Sequence, residues 1–161
     1  MIRTATPRDH AAIRSVLKGA FPSAAEADLT EALRTDGAML CELVNEAEGT
    51  IDGYVAASAM QTPAGTAGLG PVAVSSAAQG LGNGSALIRA TLSRLREDRS
   101  RAVFVLGEPG FYGRFGFSTR SAGAFESSYP KEFMMALELT SGALSGLTGT
   151  LRYARPFEAL G

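Results

Sequence analysis

The stretch AVSSAAQGLGNGSALIRATL, residues 73–92, decides the fold because it joins a strand, a glycine-rich turn and a helix without interruption. The apolar strand ends at Val74, glycine stands at positions 80, 82 and 84, and a helix is predicted over 84–97. Glycine lets backbone N–H groups come close to a ligand, and the first turn of a helix carries a partial positive charge. This order of elements favours a turn that binds phosphate.

Two nucleotide-binding motifs fit the turn poorly. A P-loop needs lysine followed by serine or threonine after its last glycine, whereas Gly84 is followed directly by Ser85. The dinucleotide fingerprint needs a third glycine where Ser85 stands and an acidic residue at the end of the next strand, whereas Glu97 and Asp98 precede that strand. By itself, the turn therefore leaves a plain glycine-rich connection as the alternative to a phosphate site.

The strand before the turn, LGPVAV at 69–74, contains an interruption. Gly70 and Pro71 stand inside an otherwise apolar run, and proline cannot donate a hydrogen bond to a neighbouring strand. This predicts a bulge that lets the strand splay from its neighbour. A cleft opened in this way exposes backbone N–H and C=O groups with which an extended ligand can pair.

Elements on both sides of this unit complete a mixed α/β layer pattern. Upstream we expect a strand over 2–4, a helix after Thr6 and Pro7, a second helix capped by Ser23 with Glu26, and a hairpin of strands over 38–46 and 50–60. Downstream we expect a buried strand over 101–107, a short helical or turn segment PGFYGRFGF, a strand over 133–139 and an extended tail over 149–157. No repeat or linker divides the chain, so we expect a single domain over 1–161.

Composition excludes several classes of function. The chain has 161 residues, 45% of them hydrophobic, and a net charge of −1, so it presents no broad field for nucleic acid or for an anionic membrane. A single cysteine, Cys41, and a single histidine, His10, leave too few ligands for zinc and make a His-activated nucleophile improbable. The start, MIRTATPRDH, lacks the apolar region of a signal peptide. We therefore expect a cytoplasmic protein without a metal.

Two motifs together resemble a known family. Gln79-x-x-Gly82-x-Gly84 is similar to the Q/R-x-x-G-x-G/A signature of the GNAT superfamily of acyl-CoA-dependent N-acetyltransferases. FYGRFGF at 111–117 resembles the second hallmark of that family, commonly F-Y-x-K-x-G-F, and one helix and one strand separate the two motifs. VLGEPGFYGRFGF and ALSGLTGTLRY look most like the bacterial YhbS-like branch of the superfamily.

The resemblance implies a fold and a cofactor site. It implies the GNAT fold of the α/β (α+β) class, a mixed central sheet splayed at the acetyl-CoA cleft with flanking helices. Pantetheine would pair with the strand residues Val72, Ala73 and Val74. The pyrophosphate would be cradled by backbone amides of the turn, namely those of Gln79, Gly80, Leu81, Gly82, Asn83, Gly84 and Ser85.

The resemblance also implies a reaction, in which acetyl-CoA gives its acetyl group directly to a primary amine. Tyr112 matches the tyrosine usually assigned as general acid toward the CoA sulfur. Because an ordinary tyrosine has a pKa of about 10 and a thiol about 8.5, we expect Tyr112 to act chiefly as a hydrogen-bond donor. Glu108 is a candidate base, although the family commonly has asparagine there, and Glu26 and Glu31 could instead line an acceptor pocket.

Other functions stay open at this point. The chain could be a CoA-binding module without transfer activity, or a transferase that acts on a macromolecular amine such as a protein N-terminus or aminoacyl-tRNA. The main expectation is a small-molecule or peptide amine as acceptor, without nucleic acid or membrane. A homodimer is one option because members of the family often form dimers, and Cys41 is not excluded as an acyl carrier.

Overall fold

The computed structural model describes residues 1–160, and within them a mixed sheet of six strands forms the centre of the molecule. Its strands are β1 (Ile2–Thr4), β2 (Met39–Ala47), β3 (Thr50–Ala59), β4 (Ala67–Val74), β5 (Ala102–Leu106) and β7 (Met134–Glu138), in the order β1-β2-β3-β4-β5-β7. The short strands β6 (Phe125–Glu126) and β8 (Gly149–Thr150) pair in parallel beside it.

Helices cover both faces of this sheet. They are α1 (His10–Ala20), α2 (Ala25–Asp36), α3 (Asn83–Glu97) and the short α4 (Pro109–Tyr112). Successive residues of β3 point to opposite faces, so Tyr54 packs with α1 and Val55 packs with α3. The residues of α3 that recur at helical spacing on its sheet-facing side are all buried, namely Leu87, Ile88, Thr91, Leu92 and Leu95.

The interruption in β4 is a bulge, as predicted. Val55 is opposite Val72 and Ala57 is opposite Leu69, so one residue of β3 faces both Gly70 and Pro71. Gly70 has a φ of 134°, a backbone conformation that residues with a side chain rarely adopt. Glycine is therefore the residue that fits this position of the bulge.

Beyond the bulge, β4 and β5 diverge. The two strands are parallel, and their pairing is limited to Ala67 with Val103 and Gly68 with Phe104. On its other edge β5 stays paired with β7 as far as Leu106. The open side of β4 from Leu69 to Val74 therefore borders a V-shaped cleft, which confirms the predicted splay.

Two local predictions were wrong. The capping box of Ser23 with Glu26 does not form, because α2 begins at Ala25 and the Ser23 Oγ accepts the N–H of Ala25 at 3.2 Å, one residue too early for Glu26 to close the box. The tail is extended only in part, since residues Arg155–Leu160 form a 3-10 helix. Proline at 156 has a φ close to the helical value and so favours this helix.

Within residues 1–160, none of the helices combines the length and the apolar character that crossing a membrane requires.

Candidate active site

The open edge of β4 presents backbone groups to the cleft in alternation. The Ser75 N–H donates to the Asp52 carbonyl of β3 at 2.8 Å. In an antiparallel pair such residues alternate with residues whose N–H and C=O point away from the partner strand. The backbone groups of Val72 and Val74 therefore face the cleft, whereas those of Ala73 are directed to β3, opposite Tyr54.

The glycine turn lies at one end of this edge and forms a concave surface. Gly80 and Gly82 have φ values of 82° and 80°, which glycine adopts at no steric cost, and α3 begins at Asn83. A depression of about 360 Å³, here called the phosphate cradle, is lined by Val74, Ala78, Gln79, Gly80, Gly82, Asn83, Gly84, Ser85, Phe111 and Arg114. Leu81 is not among these residues, and its side chain is 72% exposed.

Arg114 adds a positive charge to the phosphate cradle. Its guanidinium lies over the Phe111 ring, 4.6 Å from the centroid, and its Nη2 is 3.5 Å from the Ser85 Oγ. An arginine beside a helix N-terminus strengthens the attraction for an anion. The residue-by-residue prediction from the sequence missed Arg114, although it occupies the basic position of the second hallmark.

Tyr112 lines the cleft, and its neighbours fix its ring. The ring packs edge-on against Phe111 and Phe117, with centroids 5.0 and 5.9 Å away. A Cβ on Gly107 would lie 2.8 Å from the Tyr112 Cδ2 and closer still to Cε2. Burial raises the pKa of the Tyr112 phenol, so the hydroxyl stays protonated and can donate a hydrogen bond.

On the side of Tyr112 away from the cradle, the cleft widens into a cavity of about 350 Å³, here called the aromatic cavity. The bulge residues 70–72 form one wall. Aromatic and aliphatic side chains form the rest, namely Phe21, Tyr112, Tyr129, Tyr153, Phe157, Leu29, Leu69, Leu106 and Leu160. Within the described part of the chain, the one acidic residue of the lining is Glu26, from the first turn of α2.

The other acidic candidates lie elsewhere. Glu108 is exposed at the start of α4 and does not line the aromatic cavity; its carbonyl accepts the N–H groups of Phe111 and Tyr112. Glu31 is exposed and pairs with Arg14 at 2.7 Å. The structure thus brings Glu26 to the same cavity as Tyr112 and leaves Glu108 and Glu31 outside it.

Cys41 is buried in the core cluster beneath α3, and burial raises its pKa to about 11. It does not line the aromatic cavity, so the thiol is poorly placed to carry an acyl group. Across residues 1–160, no group of three or more His, Cys, Asp or Glu side chains is arranged to hold a metal ion.

Comparison with known proteins settles the family. The model of the acetyltransferase (GNAT) family matches residues 10–117, from the start of α1 to the end of the second hallmark. The chain belongs to the GNAT family of acetyltransferases. This GNAT chain is 33% identical to the uncharacterized N-acetyltransferase YhbS of Escherichia coli strain K12, over 98% of each chain.

Two solved structures share the fold of this GNAT protein along its length. YhbS from Escherichia coli in complex with CoA has a TM-score of 0.93 at 34% identity, covering 100% of this chain and 93% of that one. A GNAT family acetyltransferase from Brucella melitensis in complex with acetyl-CoA has a TM-score of 0.82 at 32% identity, covering 98% and 97%. The predicted GNAT fold and the resemblance to YhbS are confirmed, and the chain is an acyltransferase of this family.

Proposed function

We propose that this protein is an acetyl-CoA-dependent N-acetyltransferase that moves the acetyl group directly to a primary amine, as one domain over residues 1–161. The observation that carries the proposal is that two depressions follow one another along the open edge of β4: residues 69–72 and Tyr112 line the aromatic cavity, and Val74 and Phe111 line the phosphate cradle. The complexes of the two relatives with CoA and acetyl-CoA support it. The cytoplasmic location stays a prediction.

The described residues fit this cosubstrate, which supplies the acetyl thioester. Val72 offers its backbone N–H and C=O and Val74 its N–H to the amides of pantetheine, since the Val74 carbonyl accepts a hydrogen bond from Gln79 Nε2 at 3.1 Å. Ala73 contributes as a strand residue whose own backbone groups face β3. Arg114 adds charge to the pyrophosphate site. The turn amides proposed for that site are those of Gln79, Gly80, Leu81, Gly82, Asn83, Gly84 and Ser85, with Leu81 contributing only backbone.

The chain's own residues meet the two electrostatic requirements of the transfer. As the amine nitrogen attacks the thioester carbon, the carbonyl oxygen gains charge, and the Val72 N–H beside the bulge is placed to stabilise it. As the carbon–sulfur bond breaks, the Tyr112 phenol donates a hydrogen bond to the departing thiolate. Because burial raises the pKa of Tyr112, it is a weaker acid than a thiol, whose pKa is about 8.5, and it keeps its proton.

The attacking ammonium gives up two protons: we assign the first to Glu26, and the second passes through water to the departing thiolate, so that the products are the amide and the CoA thiol. An alkylamine is mostly protonated near neutral pH. The site therefore needs a group that binds the resulting cation and accepts a proton from it, directly or through water. Glu26 lines the aromatic cavity beside Tyr112. Glu108, the base predicted from the sequence, stays an alternative whose exposed position outside the cavity speaks against it.

Calorimetry followed by a thiol-release assay tests the proposal. Titration with acetyl-CoA is expected to show one site per chain, and release of the CoA thiol is expected only when an amine is added. Failure to bind acetyl-CoA would contradict the proposal. Binding without thiol release on any amine, peptides included, would favour a CoA-binding module, and turnover confined to peptide or aminoacyl-tRNA amines would assign a macromolecular acceptor.

A further inference from the structure

The aromatic cavity extends beyond the groups that the transfer chemistry uses. Tyr112 and the bulge are sufficient for the thioester, yet the cavity continues to rings contributed by the last third of the chain. Tyr129, Tyr153 and Phe157 form this wall, with the Tyr153 centroid 5.7 Å from Tyr129 and 4.9 Å from Phe157. The wall is a preformed apolar surface next to the reacting atoms, which is where an acceptor must bind.

The C-terminal segment holds this wall in place. The 3-10 helix over Arg155–Leu160 packs against α2, and Phe157 contacts the cluster that contains Leu29 and Leu33. The Tyr153 phenol is buried and donates toward the Met134 sulfur at 3.9 Å, so its hydroxyl is engaged within the protein. Tyr153 therefore offers its ring, and not its hydroxyl, to a ligand.

The charged residues that line the aromatic cavity limit the chemical class of acceptor that can bind there. Among residues 1–160, Glu26 is the one side-chain carboxylate of the lining, and no lysine, arginine or histidine of this range lines the cavity. A carboxylate on the acceptor would be buried without a positive partner, and the additional ammonium groups of a polyamine would lack negative partners. A single ammonium is satisfied by Glu26 and by the faces of the rings.

We infer, resting on the proposed function, that the acceptor is a small monoamine with an aromatic or similarly apolar body and no acid group. Its ammonium lies at Glu26 and its body lies against Tyr129, Tyr153 and Phe157. The cavity of about 350 Å³ also takes the acetyl end of the cosubstrate, which leaves space for a body of about one ring.

A matched set of amines tests this inference at saturating acetyl-CoA. The set contains 2-phenylethylamine, phenylalanine, phenylalanine amide and spermidine, of which phenylalanine adds a carboxylate and its amide removes that charge again. The kcat/KM for 2-phenylethylamine and for phenylalanine amide is expected to exceed that for phenylalanine and for spermidine by at least about tenfold. Faster turnover of spermidine or phenylalanine overturns the inference.

Variants of the lining separate a binding role from a structural one. Glu26→Gln is expected to weaken binding of 2-phenylethylamine to the CoA complex about tenfold, while the neutral analogue 2-phenylethanol binds unchanged. Glu31→Gln, on the same helix but paired with Arg14 outside the cavity, is the matched control and is expected to change neither. Equal losses for amine and alcohol in Glu26→Gln would contradict the role given to this carboxylate.

Phe157→Leu keeps an apolar contact with α2 and is expected to raise the KM for 2-phenylethylamine several-fold, without changing the KM for acetyl-CoA. An unchanged KM for the amine would remove Phe157 from the acceptor site. Turnover on polyamines, amino acids or peptides with aromatic monoamines inactive overturns the inference and leaves the proposed transferase standing. Thiol release with no amine at all overturns both.

Discussion

Tyr112, the hydrogen-bond donor that we propose, is held in place by its neighbours. The phenol is half-buried, which raises its pKa, and the ring is held between Phe111, Phe117 and the bare backbone of Gly107. The hydroxyl therefore reaches the cleft as a protonated donor in a fixed position. Removing the hydroxyl and displacing the ring are both expected to lower kcat with little change in acetyl-CoA affinity.

Tyr112→Phe keeps the ring packing and removes only the donor. We expect kcat to fall about 10- to 100-fold, because the departing thiolate loses a hydrogen bond made in the transition state, while acetyl-CoA affinity changes less than about twofold. Thiol-release rates and calorimetric titration measure the two quantities. An unchanged kcat would remove Tyr112 from the mechanism.

Gly107→Ala tests the positioning of that ring. The added Cβ would overlap the Tyr112 ring, so we expect kcat to fall about tenfold or more with little change in acetyl-CoA affinity. Gly110→Ala is the matched control, since a Cβ there meets no atom within 4 Å and Gly110 lies in α4, the short helix that also contains Tyr112. Equal activity of the two variants would contradict the positioning role of Gly107.

At the scale of elements, the bulge in β4 and the divergence of β5 create the cleft. Both follow from the pair Gly70 and Pro71, since the glycine takes a φ of 134° and the proline lacks a donor for the neighbouring strand. The strand edge that would otherwise pair with β5 is left facing the ligand. Changes at the bulge should therefore affect both stability and cofactor binding.

Gly70→Ala forces a side chain into that conformation. We expect a loss of about 1–3 kcal/mol in the free energy of unfolding, measured by urea denaturation, together with weaker acetyl-CoA binding. Gly19→Ala, in the last turn of α1 with open space around its Cβ position, is the control and should not lower the free energy of unfolding. A Gly70→Ala variant as stable as the parent protein would contradict this description of the bulge.

Arg114 lies in the 3-10 turn Gly113–Phe115 that follows α4, and its guanidinium reaches Ser85 in the first turn of α3. Arg114→Gln is expected to raise the Kd for acetyl-CoA about tenfold and to leave kcat at saturation nearly unchanged, because a charge near the pyrophosphate is lost. S-acetylpantetheine, which has no pyrophosphate, should show no such difference between the two proteins. Arg96→Gln, exposed at the far end of α3, is the control; an equal effect on both donors would contradict the placement of Arg114 at the phosphates.

At the scale of the whole molecule, sequence patterns predicted those structural features that depend on residues close together in the chain. Three features depend only on a few neighbouring residues: the proline and glycine of the bulge, the glycines before α3 and the apolar face of that helix. The structure has the bulge and the glycine turn at the positions that the sequence predicted. The capping box of Ser23 failed because the helix began one residue later than the pattern required. Packing between α2 and the tail, which local propensity does not register, favoured the 3-10 helix at Arg155–Leu160.

The parts of the site that the sequence did not predict come from distant segments. Tyr129 and Phe157 belong to no motif, and Tyr153 only ends the stretch ALSGLTGTLRY, which gave it no role in the site; Phe157 is brought to the aromatic cavity with the tail that folds back onto α2. The same is true of the choice between acids, since the sequence gives Glu108 as the candidate base, with Glu26 and Glu31 as possible acceptor-pocket residues, and only the fold brings Glu26 to the cavity. Site residues that are brought together only by tertiary contacts therefore could not be predicted from local sequence patterns.

A crystal structure of the protein with acetyl-CoA tests the central claim most directly. We predict pantetheine in the cleft between β4 and β5, hydrogen-bonded to the backbone of Val72 and Val74, with the pyrophosphate in the phosphate cradle and the thioester sulfur within hydrogen-bond distance of the Tyr112 hydroxyl. Acetyl-CoA bound outside this cleft, or with its thioester turned away from Tyr112 and the aromatic cavity, would contradict the account.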